Sequence, residues 1–197
     1  TCTANRIDEP THQYLENTQS SIERALYDGA FMVEVDVAPT KDGEMVLFHD
    51  WAVDCRTNGK GETRDLTLAQ LKALDIGYGY TADGGKTFPF RGRTGQMPTV
   101  REGLYASPYN GLFFNFKSKD ESEADLLSAQ LKAAGRDPIK SRDAVYGAQG
   151  PVDRMRELHP GIWAWSKEEV KACTTDYITY GWTGIVPESC RDRTIIV

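Results

Sequence analysis

The stretch Phe31-Met32-Val33-Glu34-Val35-Asp36-Val37 carries a phenylalanine or a valine at every second position. Because successive side chains of a β-strand point to opposite faces, this period of two predicts a strand. Glu34 and Asp36 then share the face opposite the valines. Two carboxylates this close are stable in a buried position only when a cation or a base neutralises them. The stretch therefore predicts a core strand that also contributes to a functional site.

Outside this stretch, predicted strands and helices alternate along the chain. The later strands are predicted at residues 112–117, 144–148, 162–165 and 194–197, and a short strand is predicted at 45–48. The helices are predicted at residues 18–27, 68–75, 120–134, 152–158 and 166–177, and one more follows Pro98. Parallel neighbours need a crossover, and helices of this length supply it, so the pattern predicts the α/β class. With Thr1–Asn5 as the tail of a first strand, we count six main strands, whereas a closed barrel of this type needs eight.

The whole chain, residues 1–197, is predicted to be one domain that is cut at both ends. It begins at Thr1 without an initiator methionine or a signal peptide, and it closes on the β-branched run Thr194–Val197 with no turn behind it. Residues 51–97 are rich in glycine and irregular apart from one helix. We interpret this segment as an insertion or a lid, with a decorative surface loop as the alternative.

The charge balance excludes one large class of partners. The chain has 23 Lys+Arg and 29 Asp+Glu, a formal net charge of −6. Nucleic-acid binders present a basic face to the phosphates, and this chain has no run rich in lysine and arginine. The longest apolar runs are far shorter than the roughly 20 residues that span a bilayer. We therefore expect no nucleic-acid partner and no membrane span.

Four cysteines leave two interpretations open. Cys2, Cys55, Cys173 and Cys190 lack the close spacing of a structural zinc site. Their even number fits one or two disulfides in an oxidising compartment, with Cys173 and Cys190 as the preferred pair. Four buried thiols are the alternative.

Three side chains have the chemistry of a site. Glu34 and Asp36 offer carboxylate oxygens, which favour Ca²⁺ or Mg²⁺ over zinc, unless their face is simply solvated. His49 follows the strand at 45–48, at the end of a barrel strand where active sites lie, and it can carry a proton near neutral pH. His159, at a helix end, is expected to be a cap or a surface residue.

Six segments of the chain form a recognisable order. They are Arg6…Glu16-Asn17-Thr18, Gly29-Ala30…Val33-Glu34-Val35-Asp36-Val37, Thr40-Lys41-Asp42-Gly43, Phe48-His49-Asp50, Arg56-Thr57-Asn58-Gly59-Lys60-Gly61 and Met97-Pro98-Thr99. No single segment is specific, but the combination is. Together they resemble the glycerophosphodiester phosphodiesterase family, nearly in register.

The resemblance implies a TIM (β/α)8 barrel, incomplete here at about six of eight βα units, with an insertion after the second strand. It also implies hydrolysis of glycerophosphodiesters, a small-molecule substrate, to glycerol 3-phosphate and an alcohol, with one divalent cation, Ca²⁺ or Mg²⁺. Glu34 and Asp36 would hold the cation, and His49 would act as general acid or base. Arg6 and Lys117 would bind the phosphate, where cations stabilise the charge that grows in the transition state.

The chain departs from the family pattern at two positions. The family's opening His-Arg-Gly is Asn5-Arg6-Ile7 here, so the catalytic position of the first histidine holds Asn5, which cannot transfer protons at neutral pH. The third metal carboxylate falls on Asn115, whose amide oxygen can still bind Ca²⁺ or Mg²⁺, with less charge. His12 is a candidate replacement for the histidine, but Asn5 keeps the neighbouring arginine.

Two other functions stay open. A lipase of the sphingomyelinase D type shares the barrel and the metal site but not the element Glu16-Asn17-Thr18. A non-catalytic homologue would bind the metal and the phosphodiester without turnover, a reading motivated by Asn5 and Asn115. The family's frequent export and the cysteines predict a location outside the cytoplasm.

Overall fold

The computed structural model describes residues 2–191, which form one five-stranded sheet connected by helices. The strands are β1 (Met32–Pro39), β2 (Met45–Leu47), β3 (Gly111–Phe116), β4 (Ala144–Gly147) and β5 (Trp163–Ser166), and the helices are α1 (Gln19–Tyr27), α2 (Leu68–Lys72), α3 (Val100–Ala106), α4 (Ser122–Ala133), α5 (Gln149–Leu158) and α6 (Lys167–Tyr180). Short 3-10 turns cover Ala4–Arg6, Thr63–Asp65, Gly181–Thr183 and Glu188–Cys190. The α/β class predicted from the sequence is confirmed.

The sheet has the strand order β2-β1-β3-β4-β5 and is open. β1, β3, β4 and β5 are parallel, and helices connect β3, β4 and β5 in turn. β2 instead runs antiparallel to β1, because only the short turn 40–44 joins them and a parallel return needs a crossover. The expectation that the short strand at 45–48, which precedes His49, is a barrel strand parallel to its neighbours is therefore wrong.

The predicted first strand is also wrong. Ala4–Arg6 forms a 3-10 turn, and its neighbours pair with the segment near residue 81: Thr81 N–H donates to the carbonyl of Ala4 at 3.0 Å, and Ile7 N–H donates to the carbonyl of Thr81 at 3.3 Å. These bonds pair the amino-terminal segment with residue 81 instead of with a strand of the sheet. The predicted strand 194–197 lies outside the described residues.

The helix boundaries follow the capping residues that the sequence shows. Four helices begin with a capping box in which an N-cap hydroxyl and the N3 side chain exchange hydrogen bonds with the backbone; the N-cap residues are Thr18, Thr67, Thr99 and Ser166. Each reciprocal pair satisfies backbone N–H groups that have no partner within the helix. Gly135 has φ +68° just past the end of α4, as expected of a helix stop.

The main core lies on the face of the sheet that carries the valines of β1. Val35, Phe114, Phe116 and Val145 pack there against α1, α3, α4 and α5, and all four side chains are buried. Burying a side chain of this size contributes about 1.5–3 kcal/mol. This face holds the sheet together and leaves the opposite face, with Glu34 and Asp36, free for a site.

Residues 51–97 pack around a second core. Val53, Leu71, Tyr80 and Phe90 are buried there, together with Phe48 from the end of β2. The segment is therefore anchored to the sheet by side chains of its own. Its description as an insertion stays a prediction.

Two disulfides join the described cysteines, Cys2 with Cys55 and Cys173 with Cys190. The preferred pairing of Cys173 with Cys190 is thus confirmed, and the interpretation as four thiols is wrong. Among residues 2–191, no helix is both long enough and apolar enough to cross a membrane.

Replacing Cys2 and Cys55 together by serine is expected to lower the free energy of unfolding by about 2–4 kcal/mol, because the bridge closes a long loop in the unfolded chain. The two cysteines are 53 positions apart, against 17 for Cys173 and Cys190. The matched double serine variant of the shorter loop should lose about 1 kcal/mol less. Urea unfolding monitored by circular dichroism measures both values. Equal stability of the first variant and the natural chain would contradict the expectation.

Candidate functional site

The candidate site lies where β1 and β3 run side by side. Asp36 is directly opposite Asn115 in the parallel register, and Lys117 follows the end of β3. Glu34 lies two residues before Asp36, so the alternation of β1 places it on the same face. His49 and Asp50 follow β2, which is hydrogen-bonded to the other edge of β1. The sequence-predicted residues of three strands therefore meet at one region of the sheet.

Asp36 is the most constrained residue of this region. It is 7% exposed, and its Oδ1 lies 2.6 Å from Nζ of Lys117. Its Oδ2 accepts a hydrogen bond from Nδ2 of Asn17 at 2.9 Å, while its backbone N–H donates to Oδ1 of Asn17 at 2.8 Å. A buried carboxylate is stable when it is paired in this way. Lys117 is thus the counter-ion of Asp36 in this structure.

Glu34 differs from the expectation of a buried pair, since its side chain is exposed. Oε1 of Glu34 accepts a hydrogen bond from Nδ2 of Asn115 at 2.7 Å. The Asn115 side chain therefore connects Glu34 to the position opposite Asp36 in the neighbouring strand.

The oxygen atoms of these three side chains fit a hard cation. Oδ1 of Asn115 is buried and has no hydrogen-bond partner among the described residues. A buried amide oxygen without a partner is costly unless a ligand satisfies it, and Ca²⁺ or Mg²⁺ prefers oxygen donors of this kind. Within residues 2–191 no cluster of three or more His, Cys, Asp or Glu side chains is arranged for a metal, because the third donor here is an amide. Glu34, Asp36 and Asn115 are the residues that would hold the cation.

His49 is oriented by the residue that follows it. Its Nδ1 lies 2.6 Å from Oδ1 of Asp50. Burial raises the pKa of Asp50, but the hydrogen bond of His49 and the charge of Arg56 outweigh burial, so the pKa lies below its usual value. An ionised carboxylate only accepts hydrogen bonds, so Nδ1 of His49 carries the hydrogen of this bond, and Nε2 is the ring nitrogen that can exchange a proton with a ligand.

His49 and Lys117 line the same small indentation of the surface. Glu123, from the first turn of α4, is buried in its wall, and burial raises the pKa of its carboxyl despite the side chains of Ser118 and Arg64 nearby. The indentation brings a proton carrier and a cation to one opening. This juxtaposition is what a phosphate ester would need.

Asn5 and Arg6 belong to the 3-10 turn at the amino terminus. Both side chains are exposed, and neither makes a hydrogen bond or an ion pair with Asp36, His49 or Lys117 in the part of the chain that the structure describes. Their predicted catalytic and phosphate-binding roles stay predictions. His12 is also exposed, and its Nδ1 accepts a hydrogen bond from the backbone of Tyr14 at 3.2 Å.

The sequence analysis gave no role to two residues, Asn17 and Arg56, that hydrogen-bond the site residues. Asn17 forms hydrogen bonds with both the carboxylate and the backbone N–H of Asp36. Its φ is +56°, a left-handed conformation that asparagine tolerates better than most residues. Arg56 donates from Nε to Oδ2 of Asp50 at 2.8 Å. Both residues belong to segments that carry the family resemblance, and that membership was the only signal available.

Aromatic side chains extend the face beside Asn115. Trp165 stacks on Phe113 with ring centroids 5.0 Å apart, and Tyr146 lies opposite Asn115 in the register of β3 and β4. Burial, with the charges of Glu34 and Glu168, raises the pKa of Tyr146, which therefore stays protonated near neutral pH. These rings form an apolar wall next to the oxygen cluster.

Comparison with known proteins identifies a family for this chain. Residues 10–147 match the model of the glycerophosphoryl diester phosphodiesterase family. A rat protein named glycerophosphodiester phosphodiesterase 1 is 35% identical over 122 residues, which are 62% of this chain and 34% of the rat protein.

Two solved structures share the fold. A glycerophosphoryl diester phosphodiesterase domain from Mycobacterium tuberculosis superposes with a TM-score of 0.71 at 22% identity, covering 85% of this chain and 61% of that one. A phosphodiesterase from Oleispira antarctica, solved in complex with the product sn-glycerol-3-phosphate, superposes with a TM-score of 0.62 at 25% identity, covering 79% and 62%. These neighbours are TIM barrels, so the open sheet is part of such a barrel. The chain spans about three fifths of the length of both neighbours and a third of the rat protein.

The family model covers residues 10–147, which is most of the chain. The chain belongs to the glycerophosphoryl diester phosphodiesterase family.

Proposed function

We propose that this chain contributes the hydrolytic site of a glycerophosphodiester phosphodiesterase, which releases glycerol 3-phosphate and an alcohol. The observation that carries the proposal is the shared opening of His49 and Lys117, with the oxygens of Asp36 and Asn115 beside Lys117. The family membership and the product complex of the Oleispira antarctica phosphodiesterase support the same reaction. Because the chain spans only part of its relatives, the activity of the whole barrel is part of the proposal.

The reaction adds water across one P–O bond. One proton leaves the attacking water, and one proton joins the oxygen of the departing alcohol. His49 handles one of these protons at Nε2, while Asp50 keeps Nδ1–H in place. Lys117 places a positive charge next to the phosphoryl oxygens, where negative charge grows in the transition state.

The proposal includes one divalent cation, Ca²⁺ or Mg²⁺, held by Glu34, Asp36 and Asn115. When bound, such a cation neutralises phosphoryl oxygens and favours ionisation of water. In the structure, Lys117 and the Asn115 amide nitrogen pair with the two carboxylates, so they are the groups that a cation would have to rearrange.

A direct assay tests this proposal. Glycerol 3-phosphate release from glycerophosphocholine is measured with Ca²⁺, with Mg²⁺ and with a chelator, for the natural chain and for Glu34→Ala. We expect release that depends on the cation and is lost in the variant. Glu34 is exposed, so its removal should leave the fold intact. Release that persists in the chelator at the same rate would contradict the cation's role.

Asn5 favours a second function, binding of the cation and the phosphodiester without hydrolysis. Its amide stands where the family has a proton-transferring histidine, and it lies outside the contacts of His49. A non-catalytic homologue would bind Ca²⁺ and a phosphodiester without turnover. Calorimetric binding of both ligands, together with no release of glycerol 3-phosphate, is the outcome that selects this function.

We also propose a location outside the cytoplasm. The two disulfides support it, because such bonds persist in oxidising compartments and are rare in the cytosol. Thiol titration of the protein isolated from its natural source, with fractionation of the compartments, tests the location. Four reactive thiols in a cytosolic fraction would contradict it.

A further inference from the structure

Arg56 is a buried charge whose role the proposed reaction leaves open. Its side chain is 4% exposed, yet every nitrogen of the guanidinium has a partner. Nε donates to Oδ2 of Asp50 at 2.8 Å, Nη1 donates to Oε1 of Glu16 and to Oη of Tyr80, and Nη2 donates to Oγ1 of Thr3. A buried guanidinium with a partner at each nitrogen is costly to disturb, because removing one partner leaves another charge unpaired.

The partners of Arg56 come from segments far apart in the chain. Glu16 lies 40 positions before it, and Tyr80 lies 24 positions after it. The backbone at Gly79 lies so close to Cys55 that an added Cβ would be 1.9 Å from the carbonyl oxygen of Cys55. The fold therefore brings the segment of Tyr80 directly against that of Arg56, and only glycine permits the approach.

Tyr80 completes the pairing on the far side of the guanidinium. Burial and the charge of Glu16 raise its pKa, so its hydroxyl stays protonated and donates to Oε1 of Glu16 at 2.7 Å while it accepts from Arg56 at 2.8 Å. Glu16, Tyr80 and Arg56 thus form a closed ring of hydrogen bonds. The ring fixes the direction in which Nε of Arg56 points.

The same ring is connected to the oxygen cluster. Glu16 is followed directly by Asn17, which bonds both the backbone and the carboxylate of Asp36. On the other side, Arg56 reaches Asp50, whose second oxygen bonds His49. Two adjacent residues, Glu16 and Asn17, therefore join the proton carrier to the predicted cation site.

We propose that Arg56 is a positioning residue: it holds Asp50 so that His49 keeps its hydrogen on Nδ1 and presents Nε2 to the substrate, with Glu16 and Tyr80 fixing the guanidinium. This inference rests on the proposed function in one respect, since it takes His49 to be the proton carrier. A planar guanidinium can serve Asp50, Glu16 and Tyr80 at once, whereas the single ammonium of lysine cannot.

The test compares Arg56→Lys with a matched control, Arg136→Lys. The side chain of Arg136 is 7% exposed and pairs with Asp143 and with the carbonyls of Ser107 and Asn110, on a different part of the fold. Both variants lose the planar fork and keep the charge. Tyr80→Phe is the third variant, because it removes one hydroxyl from the ring and keeps the aromatic packing.

Two readouts separate positioning from stability. ¹⁵N NMR of the histidine ring reports the tautomer of His49 in the folded chain, and steady-state kinetics report kcat and KM. In Arg56→Lys we expect a mixture of His49 tautomers. We expect kcat to fall about 10- to 100-fold, the usual effect of removing a residue that orients the groups of a site, and KM to stay almost unchanged. Tyr80→Phe should change both in the same direction by less, and Arg136→Lys should change neither.

A single Nδ1–H tautomer of His49 in folded Arg56→Lys would overturn the inference, as would an equal kinetic effect of Arg136→Lys. The NMR readout needs no turnover. If the natural chain does not hydrolyse glycerophosphodiesters, the proposed function fails, while the His49 tautomer in the Arg56 and Tyr80 variants still decides the positioning role.

Discussion

Replacing Asp36 by asparagine is expected to lower cation-dependent hydrolysis about 10³-fold, because a bound metal contributes several kcal/mol to the stabilisation of the transition state. The substitution keeps the size of the side chain but removes the charge that faces Lys117 at 2.6 Å. We expect two losses at once: weaker Ca²⁺ binding, and a Lys117 ammonium without its counter-ion. Isothermal titration with Ca²⁺ and the release assay measure them separately.

Asp143→Asn is the matched control for this prediction. Asp143 is also buried and also pairs with a cation, Arg136 at 2.6 Å, but the other hydrogen bond of its carboxylate is to the backbone of Leu112 at the start of β3. Its substitution should lower the free energy of unfolding by about 3–5 kcal/mol, the cost of breaking a buried pair, without changing Ca²⁺ affinity in the folded fraction. If Asp36→Asn had the same Ca²⁺ affinity and activity as the natural chain, Asp36 would not be a ligand of the proposed cation.

Replacing His49 by glutamine is expected to lower kcat by about 10²–10⁴-fold, the usual contribution of a positioned acid or base. Glutamine retains hydrogen-bonding atoms next to Asp50 but cannot carry a proton at neutral pH. KM should change little, because Lys117 and the oxygen cluster remain. Stopped assays over a range of glycerophosphocholine concentrations give both constants.

His159→Gln is the control for His49. His159 bonds the hydroxyl of Ser128 at 2.9 Å, at the end of α5 and beside α4, so its replacement should leave kcat unchanged. A natural kcat in the His49 variant, with this control behaving as expected, would show that another group moves the proton. Asn5 cannot be that group because an amide does not titrate near neutrality.

The strands and helices were predictable because each depends on a short stretch of sequence. The alternation at 31–37 predicted β1, and the pairs Thr67 with Gln70 and Thr99 with Glu102 predicted where α2 and α3 begin. The same alternation correctly placed Asp36 and Glu34 on one face. The direction of a strand was harder to predict from the sequence, since β2 differs from the other strands only in the short connection, residues 40–44, that joins it to β1.

The candidate site divides in the same way. Asp36, Asn115, Lys117 and His49 were predicted as site residues from the strand pattern and from the resemblance to a family. Their partners were not found. Asn17 lies 19 positions from Asp36, and Glu16 lies 40 positions from Arg56, so no local pattern connects them.

The amino-acid sequence alone established the α/β class, the face of β1 that carries the carboxylates, and the chemistry available there, because alternation, capping and residue type are local properties. The three-dimensional fold established the antiparallel return of β2, the exposure of Glu34, the pairing of Cys2 with Cys55 and the ring around Arg56. Each of these depends on which distant segments come into contact. Packing of the second core brings Tyr80, Glu16 and Arg56 together, and a contact of that kind is set by the whole fold rather than by any one segment.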